Sequence, residues 1–206
     1  MRYTGPKNRI ARRQQVDLGL KTPGSKSHTR LLNKLTVVPG QHGGKKKRKV
    51  SERAVQLSEK QKLRYMFGIT EKQLKNYFKK ASVKKGNTAL YLSEYLERRL
   101  DNIVYRLGLT PTRAAARQLV VHGHVAVEDK KMSVPSYEVR VGEKISFLNE
   151  KTAKIPYIEK ALTSKDTLIP GWLEKKAIAG RMTALPTNEE IAKQVNLRLI
   201  IEYYSR

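Results

Sequence analysis

The sequence predicts an α+β chain, helical through its first half and then carrying a helix pair that leads into a small antiparallel sheet. Two observations predict this. Between Ser51 and Val121 apolar residues recur at three-to-four spacing, the period of a helix with one buried face. After Gly123 the period falls to two, as in a strand with one face in the core. A hydrophobic content of 39% makes a folded core feasible, and the lack of cysteine excludes disulfides and thiolate zinc sites.

Residues 1–50 stand apart. Their only acid is Asp17, and Gly5-Pro6, Pro23-Gly24 and Pro39-Gly40 interrupt a stretch with few apolar anchors. Such a segment is expected to be disordered alone and to take its order from a partner. From Ser51 the pattern becomes helical, and the first helix so predicted runs to Phe67 and stops at Gly68. The second opens at Thr70, with Gln73 completing a capping box, and buries Leu74, Tyr77, Phe78 and Ala81 against a basic opposite face. A third spans roughly Leu90 to Leu107 on the stripe Leu92, Leu96, Leu100, Ile103 and Leu107. Thr110-Pro111-Thr112 then opens a fourth, Arg113 to Val121, giving two helices joined by a short turn. Short strands are expected at Val125–Val127, Met132–Val134, Val139–Val141 and Lys144–Phe147. Trp172-Leu173 should anchor a local core, and Thr187 with Glu190 predicts a capping box opening a helix through Val195. The apolar run Leu197–Ile201 suits strand and helix alike.

Charge defines the class of partner. Lys and Arg number 43 against 18 acids, a formal net charge of +25. A free globular protein would repel itself at that charge, so a polyanion is the natural partner, and nucleic acid suits it better than a membrane. No apolar run is long enough to cross a bilayer, and the basic first residues lack the apolar core of a secretory signal, so a soluble intracellular protein is expected. Catalysis is not indicated. The four histidines are scattered, no carboxylates cluster, and Gly40-Gln-His-Gly-Gly44 lacks the spacing of a phosphate loop. No enzyme, cofactor or metal is expected.

Arginines concentrate on the helix pair. Arg113 and Arg117 stand four apart and so share one helix face, where two guanidinium forks suit phosphate. Both are expected to be exposed, although Asp101 stands near enough in sequence to pair with one of the neighbouring arginines.

From Arg99 to Gly108 (RLDNIVYRLG), Thr112 to Val120 (TRAAARQLV), His122-Gly-His124 and Val134 to Tyr137, the chain resembles the S-four RNA-binding domain. The flanks extend the resemblance to the small-subunit ribosomal protein four family of bacterial type: Arg2 to Lys7, Pro39 to Gly43, Gln56 to Lys62, Tyr65 to Gly68 and Leu199 to Arg206. The resemblance implies a helical N-terminal domain completed by the C-terminal segment, with the S-four domain inserted. The boundaries expected are a basic extension over 1–50, a helical domain from 51–91 with 180–206, and the S-four domain over 92–179, its core about 97–160. It also implies binding to a helix junction in the 5′ domain of small-subunit ribosomal RNA, nucleation of subunit assembly, a contribution to translational accuracy, and a cytoplasmic location in the subunit. Ribosomal proteins five and twelve, and mRNA where it enters, are the implied neighbours. An S-four regulator acting outside the ribosome is the alternative.

Residues expected to meet RNA are Arg2, Lys7, Arg9, Arg12 and Arg13 at the start, then Lys45, Lys46, Lys47 and Arg48 in the basic run. Lys60, Lys62, Arg64, Lys72 and Lys75 follow on the two helices predicted between Ser51 and Ala81. The helix pair adds Arg99, Arg106, Arg113, Arg117, Gln118, His122 and His124. Two departures qualify the resemblance. The zinc-binding cysteines of many members are absent, and the hairpin turn, often Asn-Gly, is Glu128-Asp129. Because aspartate takes the left-handed conformation less readily than glycine, a longer or differently shaped turn is expected.

Overall fold

The computed structural model describes residues 3–44, 49–163 and 168–205. Arg2, Lys45, Lys46, Lys47 and Arg48 lie outside them. The chain forms two compact units, Met1–Ser93 with Asn188–Arg206, and Glu94–Thr187.

The first unit begins with α1 (Lys7–Gln14) and α2 (Lys26–Leu32), the latter capped by the Ser25 hydroxyl, which accepts from the His28 N–H. Ile10, Ala11, Leu18 and Leu31 are buried, so the segment has the core that its composition did not suggest. Polar tethers supplement those few anchors. The Asn8 amide donates to the Ser27 carbonyl at 3.0 Å, the His28 ring meets the Asp17 carboxylate at 2.8 Å, and Arg12 donates to the Val37 carbonyl at 2.9 Å. The expectation that order here comes only from a partner is thereby corrected for residues 3–44.

Next come α3 (Glu52–Phe67) and α4 (Glu71–Val83). Gly68, at φ 61°, supplies the left-handed residue that ends α3. Thr70 and Gln73 form the reciprocal capping box, and Leu74, Tyr77 and Ala81 are buried. The predicted third helix is two: α5 (Thr88–Glu97) and α6 (Leu100–Arg106). Arg99 is extended, at φ −62° and ψ 134°, and bridges to Glu138. The Val139 and Leu100 amides donate to the Arg98 and Tyr137 carbonyls, tertiary bonds that replace those a continuous helix would make. The apolar period continues across the break, which is why the sequence reads as unbroken.

In the second unit α7 (Arg113–Val121), capped by Thr112, packs on α6. Strands β1 (Val125–Val127), β2 (Lys130–Lys131) and β3 (Lys144–Phe147) follow, then α8 (Glu150–Ala153), α9 (Pro156–Thr163), β4 (Leu173–Lys176) and β5 (Ala179–Met182). They form one antiparallel sheet in the order β2-β1-β3-β5-β4. The hairpin between β1 and β2 keeps a two-residue turn, with Glu128 and Asp129 at φ 49° and 60°, contrary to the longer or altered turn expected. Neighbouring β3 holds it: Glu128 donates its N–H to the Lys144 carbonyl and accepts the Lys144 N–H on its carboxylate. Val139–Val141 is not a strand, although the preceding Glu138 forms an isolated bridge to Arg99, and residues 180–182, expected with the C-terminal segment, lie in β5 of this sheet. Leu100, Ile103, Leu107, Val120, Ile145, Trp172 and Met182 build the core. Gly180 is required there, because a Cβ would stand 2.4 Å from the Leu107 side chain.

The chain ends in the first unit with α10 (Glu189–Ala192) and α11 (Leu197–Ser205). Thr187 does not cap α10: Asn188 holds the cap position without a side-chain bond, and the helix is a single turn. The apolar run left open by the sequence is helical. Packed on α3, α11 buries Leu197 and Ile200, and Asn196 donates its N–H to the Glu59 carboxylate at 3.0 Å.

Candidate nucleic-acid interface

Within the first unit the structure separates structural cations from those facing solvent. Lys60 is 4% exposed, with its ammonium 2.7 Å from Glu71 and 4.8 Å from the Tyr203 ring centroid. Expected to meet RNA, it is instead placed inside the unit, joining α3 to α4 and α11. Lys62 pairs with Glu59 at 2.5 Å, both side chains largely buried. Arg64 lies 4.6 Å from the Tyr65 ring centroid and 3.7 Å from Glu71. Arg12 is occupied by the Val37 and Val38 carbonyls, and Lys7 is half-buried.

Glu71 is the hub of this network. Burial works to raise its pKa, yet bonds from Lys60 and Tyr204 and the charges of Lys60 and Arg64 outweigh it and leave the carboxyl below its ordinary value. Tyr204 is pushed far the other way, first by burial and then by its 2.7 Å bond to Glu71.

Of the residues expected to meet RNA in this unit, the exposed ones are on two helices, α1 and α4. Arg9 and Arg13 are one turn apart on α1, both exposed and without a side-chain partner among the described residues. Lys72 and Lys75 are likewise exposed on α4. Lys79 belongs with them and was missing from the expected set, although its position two turns beyond Lys72 was readable.

In the second unit the arginines of the helix pair are anchored by buried acids. Arg99, expected to meet RNA, is 0% exposed and is held bidentately by Asp101 at 2.7 and 3.0 Å. The same carboxylate receives Arg117 at 3.1 Å. Glu97, also fully buried, holds Arg106 at 2.6 and 3.0 Å and accepts from Asn102. Asn102 in turn accepts from the Arg113 Nε at 2.8 Å, while that guanidinium lies 4.5 Å from the Tyr105 ring centroid.

Arg113 and Arg117 are therefore half-buried and fixed, not freely exposed as expected. Burial, then the charge of Arg106, hold Arg113 below its ordinary pKa, but a guanidinium stays charged at neutral pH. Asp101, Glu97 and Asn102 thus fix the orientation of all four guanidiniums. A fixed fork gives up little entropy on meeting phosphate, so anchoring favours an oriented surface. Glu97 and Asn102, which do the orienting, were not singled out from the sequence.

Gln118 and His122 are exposed beside these arginines, while His124 is half-buried with Nδ1 3.4 Å from the Thr152 hydroxyl. The two imidazole centroids are 6.3 Å apart. Among the described residues no three His, Asp or Glu side chains are grouped to hold a metal, and no helix is long and apolar enough to cross a membrane.

Comparison with known proteins gives a consistent result. The family model described as the ribosomal protein S4/S9 N-terminal domain matches residues 2–97, and that of the S4 domain matches residues 98–145. Among curated relatives, proteins named small ribosomal subunit protein uS4 are similar along the whole chain. Those of Xanthomonas campestris pv. campestris (strain B100), Xanthomonas oryzae pv. oryzae (strain PXO99A) and Xanthomonas axonopodis pv. citri (strain 306) are each 43% identical over 209 residues, spanning 100% of this chain and 99% of theirs.

Proposed function

The chain belongs to the small ribosomal subunit protein uS4 family, and from that premise we propose that it holds a multi-helix junction of small-subunit rRNA in one geometry, gripping phosphates from two separate basic surfaces. Its role is structural and rRNA-binding, not catalytic. The first unit supplies one set, with Arg9 and Arg13 on α1 and Lys72, Lys75 and Lys79 on α4. The other is the anchored set Arg106, Arg113 and Arg117 with Gln118 and His122. Helical RNA shows its backbone and shape to a protein more than its base edges, so cations on rigid helices suit it.

The observation that carries this reading is the face of α4, where Lys72, Lys75 and Lys79 are exposed with no acid paired to them among the described residues. On a purely structural helix face, acids would be interspersed for solubility and for ion pairs. The finer assignment follows the family: a junction in the 5′ domain, an early role in subunit assembly, ribosomal proteins five and twelve as neighbours, mRNA close by, an influence on accuracy, and a cytoplasmic location.

Competition in a gel shift tests RNA against DNA. A labelled fragment carrying the 5′-domain junction should be displaced by the same RNA, and not by a tenfold excess of duplex DNA matched for phosphates. Equal displacement by the two would indicate a non-selective polycation and would remove the junction from the proposal.

A further inference from the structure

The first unit has a cleft of about 280 Å³ lined by Tyr3, Arg9, Ile10, Arg13, Gln14 and Tyr65. That volume is at the lower end of small-ligand clefts and far too small to admit a nucleic-acid helix. Two aromatic rings meet in it edge to face, Tyr3 and Tyr65, with centroids 5.8 Å apart and planes at 74°. Tyr3 is 39% exposed, while the Arg64 guanidinium against its ring steadies Tyr65. Ile10 is buried and apolar. Gln14 accepts the Ser58 hydroxyl on its amide oxygen at 2.6 Å, leaving its amide N–H groups as donors.

The geometry points to a site for one unstacked base of a single-stranded RNA segment, seated against the tyrosine rings with its flanking phosphates on Arg9 and Arg13. This rests on the RNA-binding reading and narrows it. Phosphate contact alone has no use for aromatic walls, because bases inside a duplex are stacked on one another and present no face to a side chain. A base turned out of a junction or loop does present its faces, and aromatic stacking receives any of the four. Arg9 and Arg13 are separated by one turn, about 6 Å along the helix axis, which places two cations along one strand on either side of the base. The amide N–H groups of Gln14 suit the carbonyl oxygen of a base edge.

The test uses the full chain and two probes compared at equal phosphate concentration, a single-stranded hexauridylate and a blunt RNA duplex long enough to stay paired. One uridine of the hexamer is replaced by 5-iodouridine for photocross-linking, followed by peptide mapping. The site predicts cross-links at Tyr3 or Tyr65 and stronger binding of the hexamer than of the duplex. Tyr65→Phe, which keeps the ring, should bind the hexamer as the parent does. Tyr3→Leu should bind it about fivefold or more weakly, the loss of one stacked base. Tyr3 is exposed, so that variant should keep its helical circular dichroism. If Tyr3→Leu and the parent bind the hexamer equally, or cross-links fall elsewhere, the base site is wrong, and retained binding of the junction fragment would leave the broader reading intact. If the parent binds neither the hexamer nor the junction fragment, the RNA reading fails and the site with it.

Discussion

Replacing Asp101 with alanine is expected to lower the melting temperature of the second unit by on the order of 10–40 °C. The carboxylate is 4% exposed and holds the fully buried Arg99 through both its oxygens, besides receiving Arg117. Removing one member of a buried ion pair leaves its partner's charge poorly compensated in a medium that solvates it badly, at a cost of about 3–5 kcal/mol. For a unit of this size each kcal/mol corresponds to roughly 4–8 °C. Trp172 is the chain's only tryptophan and lies in that unit's core, so its fluorescence reports the transition. A melt indistinguishable from the parent would show that Arg99 does not depend on this carboxylate.

Reversing the charge of the α4 face, as Lys72→Glu, Lys75→Glu and Lys79→Glu together, should act on the other side of the account. All three side chains are exposed, so folding should be little changed. If each meets a phosphate, counterion release predicts a log–log salt slope shallower by about three and an affinity about a hundredfold weaker at physiological salt. Filter binding of the junction fragment over a salt series measures both. An unchanged slope would mean that α4 faces something other than RNA in the complex.

These two experiments divide the basic residues along a line that the sequence only partly drew. Local signals were legible. Thr70 with Gln73, Gly68 after Phe67, and Thr112 before Arg113 act through bonds spanning only a few residues, and the structure contains each of them. The role of a cation depends on partners far along the chain. Lys60 looks like its neighbours until Tyr203 and Glu71 close over it, and Tyr204 reaches that same carboxylate across 133 residues. Arg99 sits in a stretch whose apolar period runs unbroken from Leu92 to Leu107, and only the bridge to Glu138 reveals that the backbone is extended there.

The β4–β5 hairpin escaped for a related reason. Leu173 to Lys176 reads as polar because three of its four residues are charged, and its pairing with β5 is set by register and not by hydrophobic alternation. For the first fifty residues the lesson is quantitative. A few apolar residues are too few for an independent core, but Ile10, Ala11, Leu18 and Leu31 are reinforced by the Asn8, Arg12 and His28 tethers.

As a member of this family the chain is a structural, rRNA-binding component of the small ribosomal subunit. Sucrose-gradient sedimentation of an extract from cells that make it, with the chain followed by immunoblot, tests this most directly. It should travel with the small subunit at physiological salt and remain there when DNA is digested. A chain that stays at the top of the gradient with free proteins, or moves there on DNase treatment, would contradict it.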